Sequence, residues 1–354
     1  MELKDLGFNN WFKEKLNGIQ FLDDNLARII AVNKDNYIIR NKEREVLANV
    51  TGKIIYGSES NLDFPTVGDW VYVQYFNENT FAIIHKILPR KSILKRKVAG
   101  KKIEYQLIAS NIDIAFIVQS LDLNFNIPRL ERYLIMVNES NIQPVILLSK
   151  RDLISPEILE QKILNIQSMN HTYKIIGFSN DTGEGLNEIK DLIKPGLTYC
   201  LLGSSGVGKT TLLNRLIGKN IYATQTVREK DGRGRHVTAR RQLTILSEGG
   251  LIIDNPGMRE LGNIEVQAGL NETFSDIQKL SQTCHFKNCT HINEPGCSVL
   301  DAVKQGELIE EHYQNYLKLK KETEHYEMSY IEKRKKDKMF GKMCKEVMKN
   351  NKKR

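Results

Sequence analysis

Between residues 26 and 88 apolar and polar positions alternate over five short runs, LARIIAV, NYIIR, EVLANVTGKI, DWVYVQYF and TFAIIHKIL. Turn formers such as NKDN, PTVGD and NEN separate several of them, so each run predicts a strand. Five strands in about sixty residues predict a small closed β-barrel, with an OB-fold as the expected version. Such barrels commonly bind oligonucleotides, and a purely structural barrel fits the same pattern. Residues 89–102, PRKSILKRKVAGKK, are basic, show no clear hydrophobic period, and read as a linker. From residue 103 the period changes. IDIAFIVQS precedes PRLERYLIMVNES, PVILLSK precedes SPEILEQKILNIQSM, and YKIIGFS precedes GEGLNEIKDLI. That alternation of strand and helix predicts a mainly parallel sheet with helices on both faces. TYCLLG, RQLTILS and GLIIDNPG add three more strands, and after residue 264 the chain reads as polar and helical. The expected organisation is a barrel with its amino-terminal extension at 1–88, a linker at 89–102, an α/β domain at 103–264 and a helical domain at 265–354.

Three motifs place chemistry on the α/β segment. GSSGVGKT, comprising Gly203, Ser204, Ser205, Gly206, Val207, Gly208, Lys209 and Thr210, follows a strand and opens a helix that continues with Thr211. Glycines there let backbone N–H groups turn onto phosphate oxygens at a helix amino terminus. Lys209 is expected to reach the β- and γ-phosphates and the Thr210 hydroxyl to ligate Mg²⁺. Asp254 ends the strand LIID and leads through Asn255 and Pro256 to Gly257, the position of an Asp that holds Mg²⁺ through water in nucleoside triphosphatases. Between the two lies REKDGRGRHVTARR, polar and glycine-containing, in which Thr238 is a candidate to close over Mg²⁺ and the γ-phosphate. The third motif is Ser149-Lys150-Arg151-Asp152, at the end of another strand. A carboxylate there can accept from guanine N1–H and the N2 amino group, a donor pair adenine lacks. Lys150 is expected to pack along the base, and the FSN run with Ser179 and Asn180 to offer a backbone N–H to the guanine oxygen. The predicted ligands are GTP and GDP.

The order of these motifs is unusual, because base-reading elements precede the phosphate loop whereas ordinary GTPases run the other way. Such an order describes a circularly permuted P-loop GTPase domain. Permutation leaves the switch after Asp254 joined directly to the carboxyl-terminal segment, so nucleotide state can pass down the chain.

Composition narrows the rest. The chain has 40% hydrophobic and 27% charged residues over 354 positions, and no apolar run reaches the roughly 18 residues of a spanning helix. The start, MELKDLGFNNWFKEKL, mixes acids and bases, so a cytoplasmic protein without membrane contact is expected. Cys284, Cys289, His291 and Cys297 supply three thiolates and an imidazole within 14 residues, a set suited to one structural zinc ion, with a disulfide as the alternative. Cys200 sits on an apolar strand and Cys344 in the tail. Of the net charge of +9, residues 330–354 carry most, with 11 Lys or Arg against three acids, which fits either a solvated helix or a nucleic-acid contact.

These residues resemble the circularly permuted GTPases of the ribosome small-subunit-dependent GTPase A type. The resemblance spans nearly the whole chain through FPTVGDWVYV, LPRKSIL, the motif order, GRGRH, DNPGMRE and CHFKNCTHINEPGC. It implies an amino-terminal OB-fold, the permuted GTPase domain and a carboxyl-terminal zinc domain. It also implies binding of the small ribosomal subunit and its rRNA during late maturation, GTP hydrolysis stimulated by that subunit, and a monomer. A GTP-gated rRNA-binding module with negligible hydrolysis is the alternative. Two positions depart from the family pattern: Ser149 stands where Asn is usual, and HVTAR replaces a Thr-rich run. Met258 follows Gly257, where many GTPases carry a Gln that positions water. The resemblance assigns that catalytic task to His236.

Overall fold

The five alternating runs become five strands in a computed structural model, which describes residues 1–16, 23–34, 36–97, 105–169, 172–219, 241–254 and 267–327. They are β1 (Leu26–Val32), β2 (Tyr37–Arg40), β3 (Glu45–Val50), β4 (Trp70–Phe76) and β5 (Phe81–Ile87). Their order is β1-β2-β3-β5-β4, and β4 pairs back onto β1, so the sheet closes in the OB-fold order. Period-two alternation is what buries one face: Val46 and Ala48 of β3 point inward while Glu45, Leu47 and Asn49 are exposed. Ala27, Ile29, Ile39, Val71, Val73, Ala82 and Ile84 complete that core. The amino-terminal helix α1 (Asn10–Lys15) is capped by Asn9, whose side chain accepts from the Trp11 N–H. Phe8 and Phe12 then pack on Trp70, with ring centroids 4.9 Å and 6.1 Å away.

Two predicted elements differ. The run EVLANVTGKI breaks at Thr51, and Gly52–Gly57 forms a short helix, α2. Ile54 and Ile55 are adjacent rather than alternate, and both N–H groups turn back to the Thr51 carbonyl. The linker is also more ordered than its composition suggests. Ile93–Lys97 is a strand, β6, paired antiparallel with β7 (Tyr105–Ser110). Leu94 alone carries its buried apolar face, too little to register as a period among Lys and Arg. Arg90 forks onto Asp69 at 2.8 and 2.7 Å and donates to the carbonyls of Leu62 and Phe64. Buried Arg28 of β1 donates to the carbonyls of Leu6, Gly68 and Asn111. The segment between barrel and α/β sheet is thereby bonded to the barrel, and Lys91 Nζ donates at 2.6 Å to Asp113, whose carboxylate also accepts from the N–H of Thr198 in the α/β sheet.

The α/β sheet is built from β8 (Ile114–Ser120), β9 (Gln143–Ser149), β10 (Lys174–Gly177), β11 (Thr198–Leu202), β12 (Gln242–Ile245) and β13 (Leu251–Asp254). Its order is β10-β9-β8-β11-β13-β12, parallel except for β12. Helices α3 (Ile127–Glu139), α4 (Pro156–Met169), α5 (Leu186–Leu192) and α6 (Lys209–Ile217) connect the strands. Phe116, Val118, Val145, Leu147, Tyr199 and Leu201 pack against Leu186 and Ile189 of α5 and Leu212, Leu213 and Leu216 of α6. Their alternate neighbours Ala115, Ile117, Ile146 and Leu148 are equally buried on the other face, where α3 packs on β8 and β9. β12 also pairs with β1 at Ala31 and Gln242, so barrel and α/β strands form one 11-stranded sheet within the compact unit Met1–Gly262.

The second compact unit is Asn263–Arg354. Its described part holds α7 (Gln267–Thr273), α8 (Ser275–Ser281), α9 (Ser298–Gln305) and α10 (Glu310–Glu327). Phe274 is its pivot, stacked on His312 at 4.6 Å and tilted against Tyr316 at 5.3 Å. The His312 imidazole lies 3.1 Å from the Asp276 carboxylate. The basic tail 330–354 lies outside the described residues.

Candidate nucleotide and metal sites

Chain order makes the crevice. The path runs outward from β8 through β9 to β10, then returns to β11 on the other side of β8. The carboxyl ends of β8 and β11 are therefore a topological switch point, where ligands bind in open α/β sheets. The loop 203–208 leaves β11 at that point and enters α6. Gly203, Gly206 and Gly208 have φ of 143°, 81° and 91°, values that side chains disfavour. A Cβ on Gly203 would meet the Val118 carbonyl oxygen at 2.3 Å, so only glycine fits there. The Lys209 ammonium donates to the carbonyls of Gly203 and Ser204 at 2.8 and 2.7 Å. Thr210 and Thr211 follow on the first turn of α6, half-buried, while Ser205 is exposed. Ser204 Oγ is buried without a hydrogen-bond partner, leaving a polar atom that a phosphate or hydrated cation can satisfy.

Asp254 ends β13 beside β11, 5% exposed. Burial lowers the Lys209 pKa to about 8, against the opposing pull of the Asp254 carboxylate. Phosphates placed beside Lys209 favour its charged form, so nucleotide binding above that value must take up a proton. GDP affinity is expected to be level near pH 7 and to fall as pH rises through about 8, by up to tenfold per unit. Titration in buffers of different ionisation enthalpy reads the proton uptake directly, and Lys209→Arg should abolish it.

The two loops expected from sequence to read the base sit at the carboxyl ends of β9 and β10. Lys150 adopts a left-handed conformation, φ 60°, and caps a 3-10 turn over Arg151–Leu153 that leaves Asp152 exposed. The Asp152 carboxylate accepts no hydrogen bond from any described residue, so both oxygens are available to a ligand. Arg151 N–H donates to Phe178 O at 3.1 Å, and its guanidinium pairs with Glu184 at 3.0 Å. Ser179 Oγ accepts from the N–H groups of Asp181 and Thr182 and shapes the second loop. Ser149 is fully buried and its hydroxyl donates to Val207 O at 2.7 Å. Asn180 Nδ2 donates to Gly208 O at 3.1 Å, while its Oδ1 is buried and unpartnered. The structure thus brings Ser149, Lys150, Arg151, Asp152, Ser179, Asn180, the phosphate loop and Asp254 to one edge of the sheet. His236, Thr238 and Gly257 lie outside the described residues.

One further participant escaped the motif reading. The Lys150 ammonium is paired with Asp122 at 2.6 Å. Burial pushes the Asp122 carboxyl up, but the bonds from Lys150, Ser120 Oγ and Asn124 N–H outweigh it and bring the pKa to about 2. Its only sequence signal was an Asp-x-Asn turn after β8.

Cys284, Cys289, His291 and Cys297 present their ligand atoms within 4.8 Å of one another. Cys284 Sγ lies 3.9 Å from Cys297 Sγ and 3.6 Å from His291 Nδ1, which is 3.4 Å from Cys297 Sγ. Tetrahedral zinc with bonds of about 2.3 Å to sulfur and 2.0–2.1 Å to nitrogen has edges of about 3.8 and 3.6 Å, so the set fits such an ion. A disulfide needs about 2.05 Å between sulfurs, which the Cys284–Cys297 separation rules out. His291 sits at φ 62°. Two residues outside the ligand set hold it there: Glu294 accepts from the Thr290 and Ile292 N–H groups, and Tyr313 OH donates to His291 O at 2.6 Å. Burial lowers the His291 pKa, keeping the imidazole neutral as a metal ligand requires.

Residues 87–264 match the RsgA GTPase family. The chain is 36% identical over 99% of its length to small ribosomal subunit biogenesis GTPase RsgA 2 of Vibrio parahaemolyticus, covering 94% of that protein. It is 41% identical over 93% of its length to the RsgA 2 of Lactiplantibacillus plantarum, covering 92% of it. The crystal structure of YloQ, described as a circularly permuted GTPase, superposes with a TM-score of 0.60 at 26% identity, covering 86% of this chain and 96% of that one. The order in which base-reading and phosphate motifs follow one another along this chain agrees with a circular permutation, and the chain belongs to the RsgA GTPase family of GTP-hydrolysing enzymes.

Proposed function

We propose that this protein binds the small ribosomal subunit late in its maturation and hydrolyses GTP to GDP and phosphate when the subunit stimulates it. The observation that carries the reading is the bonding of both base-reading loops to the phosphate loop at one sheet edge, in a chain whose relatives are named for biogenesis of that subunit. Asp152 reads the guanine edge and Lys150, held by Asp122, lies along the base. Lys209 leaves its two loop carbonyls for the phosphates. Thr210, Thr238 and Asp254 would hold Mg²⁺, the last through water, and the ion when bound would supply positive charge beside the phosphates. His236 positions the attacking water in place of the missing Gln.

The OB-fold barrel, the 330–354 tail and the zinc unit supply RNA contacts, and the protein works as a cytoplasmic monomer. Multiple-turnover phosphate release with and without purified small subunits tests the reading. A rise of about 10²-fold or more with subunits is the expectation, the contribution of one positioned catalytic group. An equal, negligible rate in both would leave a GTP-gated RNA-binding module, a reading supported by Met258, whose thioether cannot position water.

Zinc is structural in this reading, because protein fills all four ligand positions. Binding worth ~10–16 kcal/mol over four ligands gives each about 3 kcal/mol, so Cys289→Ser should weaken zinc by about 10²-fold or more. Chelator competition measures that loss. Thermal unfolding of the unit beginning at Asn263 should shift with it, while GDP binding stays at the wild-type value.

A further inference from the structure

We infer that Arg241 is a positioning residue for the Mg²⁺ edge of the nucleotide site: it fastens β12 to β7, and β12 in turn sets the position of Asp254 relative to the barrel. The inference rests on the reading of Asp254 as the Mg²⁺-side carboxylate and goes beyond it, since Arg241 acts on the strand beside Asp254 and not on nucleotide or ion. The sheet register puts one residue between barrel and site. Gln242 is the partner of Ala31 in β1 on one side and of Asp254 in β13 on the other. Antiparallel partners lie about 4.5–5.5 Å apart at Cα, so Asp254 stands two strand spacings from the barrel. β1 is buried at every position from Leu26 to Ala31, as a strand covered on both faces must be.

β12 is too slight to keep that register unaided. It has four residues, of which Leu243 is the buried one, and among the described residues one pair, Ala31 with Gln242, joins it to β1. Two side chains add to the hold. Ile245 packs into the cluster that contains Leu26, Trp70 and Phe12. Arg241, immediately before the strand, donates from its guanidinium to Leu107 O of β7 at 2.5 Å. That placement is unfavourable for the charge itself. Burial lowers the Arg241 pKa and the neighbouring Arg96 lowers it further, while its described hydrogen-bond partner is a neutral carbonyl. What the bond supplies is direction, because a planar guanidinium donates along fixed axes. β7 is a firm anchor, since its carboxyl end is tied to the barrel. Ser110 Oγ donates to the Asp69 carboxylate, Asn111 Nδ2 to Gly68 O at 3.0 Å, and buried Arg28 of β1 to Asn111 O at 3.1 Å. Gly68 and Ser110 approach so closely that a Cβ on Gly68 would lie 2.1 Å from Ser110 O. Both attachments of β12 therefore lead to one polar joint, and Asp254 takes its position from that joint.

The test measures affinity of the full-length protein for GMPPNP in Mg²⁺ and in EDTA. Arg241→Met is expected to shrink the gain that Mg²⁺ brings by about fivefold, the size of one lost hydrogen bond, and to leave affinity in EDTA within about twofold of wild type. Arg241→Lys, which keeps a donor for Leu107 O, should recover most of the gain. Ile245→Ala, which loosens β12 from Leu26 and Trp70, should reproduce the loss, and it decides the matter if Arg241→Met does not fold. Equal losses with and without Mg²⁺ would make Arg241 a residue of the fold alone and overturn the inference, as would no loss at all. Asp254→Asn separates the two claims. A lost Mg²⁺ gain there beside an intact one in Arg241→Met overturns this inference alone, whereas a full gain in Asp254→Asn overturns the Mg²⁺ reading of Asp254 and the inference with it.

Discussion

Asp152→Asn is expected to lower affinity for GDP by about 10²-fold or more and to raise that for XDP by a similar factor, since each of two charge-assisted hydrogen bonds is worth about 1.5–3 kcal/mol. The left-handed Lys150 throws the following turn outward, so that Asp152 is exposed. A carboxylate accepts from guanine N1–H and the 2-amino group, whereas an amide can donate to the 2-oxo group of xanthine. The surroundings stay in place because the loop is held by Arg151 N–H on Phe178 O and by Arg151 on Glu184, contacts that leave the 152 side chain out. Direct titration with GDP, XDP and ADP checks it. A variant that keeps the wild-type ranking of the three would remove Asp152 from base recognition.

Motifs whose chemistry is local were legible in the sequence. GSSGVGKT needs only its own glycines and the helix behind it, and its positive φ values follow from residue type. The Cys/His cluster was legible for the same reason, with ligands inside 14 residues. Long-range pairings were not. The β6–β7 hairpin hid because one buried leucine, Leu94, cannot establish a period, and what orders the linker is Arg90 on Asp69 and the Lys91 N–H on the Asn111 side chain. Nor can periodicity show that β12 pairs with β1 and makes barrel and α/β sheet continuous. Ser149 illustrates the same limit at the site. From sequence it is a lost base contact, whereas the fold gives its hydroxyl a partner 58 residues away, in the phosphate loop. Asp122 is found only through Lys150.

His236→Ala should reduce subunit-stimulated turnover by about 10²-fold or more, the usual contribution of a positioned acid–base or water-orienting group. Affinity for GTP should stay unchanged. The argument begins with Met258, a thioether at the position after Gly257 that cannot orient water as a Gln does. Some other polar group must do so for hydrolysis to proceed, and the segment GRGRHVTAR before β12 carries His236 next to the threonine proposed for Mg²⁺. Four described side chains around the crevice are already engaged: Lys209 on two loop carbonyls, Lys150 on Asp122, and Ser149 and Asn180 on the loop. Loss confined to kcat with KM unchanged identifies an interaction made only in the transition state. Single-turnover hydrolysis at saturating subunit separates this from slowed product release. Stimulated rates equal to wild type in His236→Ala would exclude the residue and move the search to groups supplied by the subunit, for which His236→Gln, again at the wild-type rate, would be the confirming control.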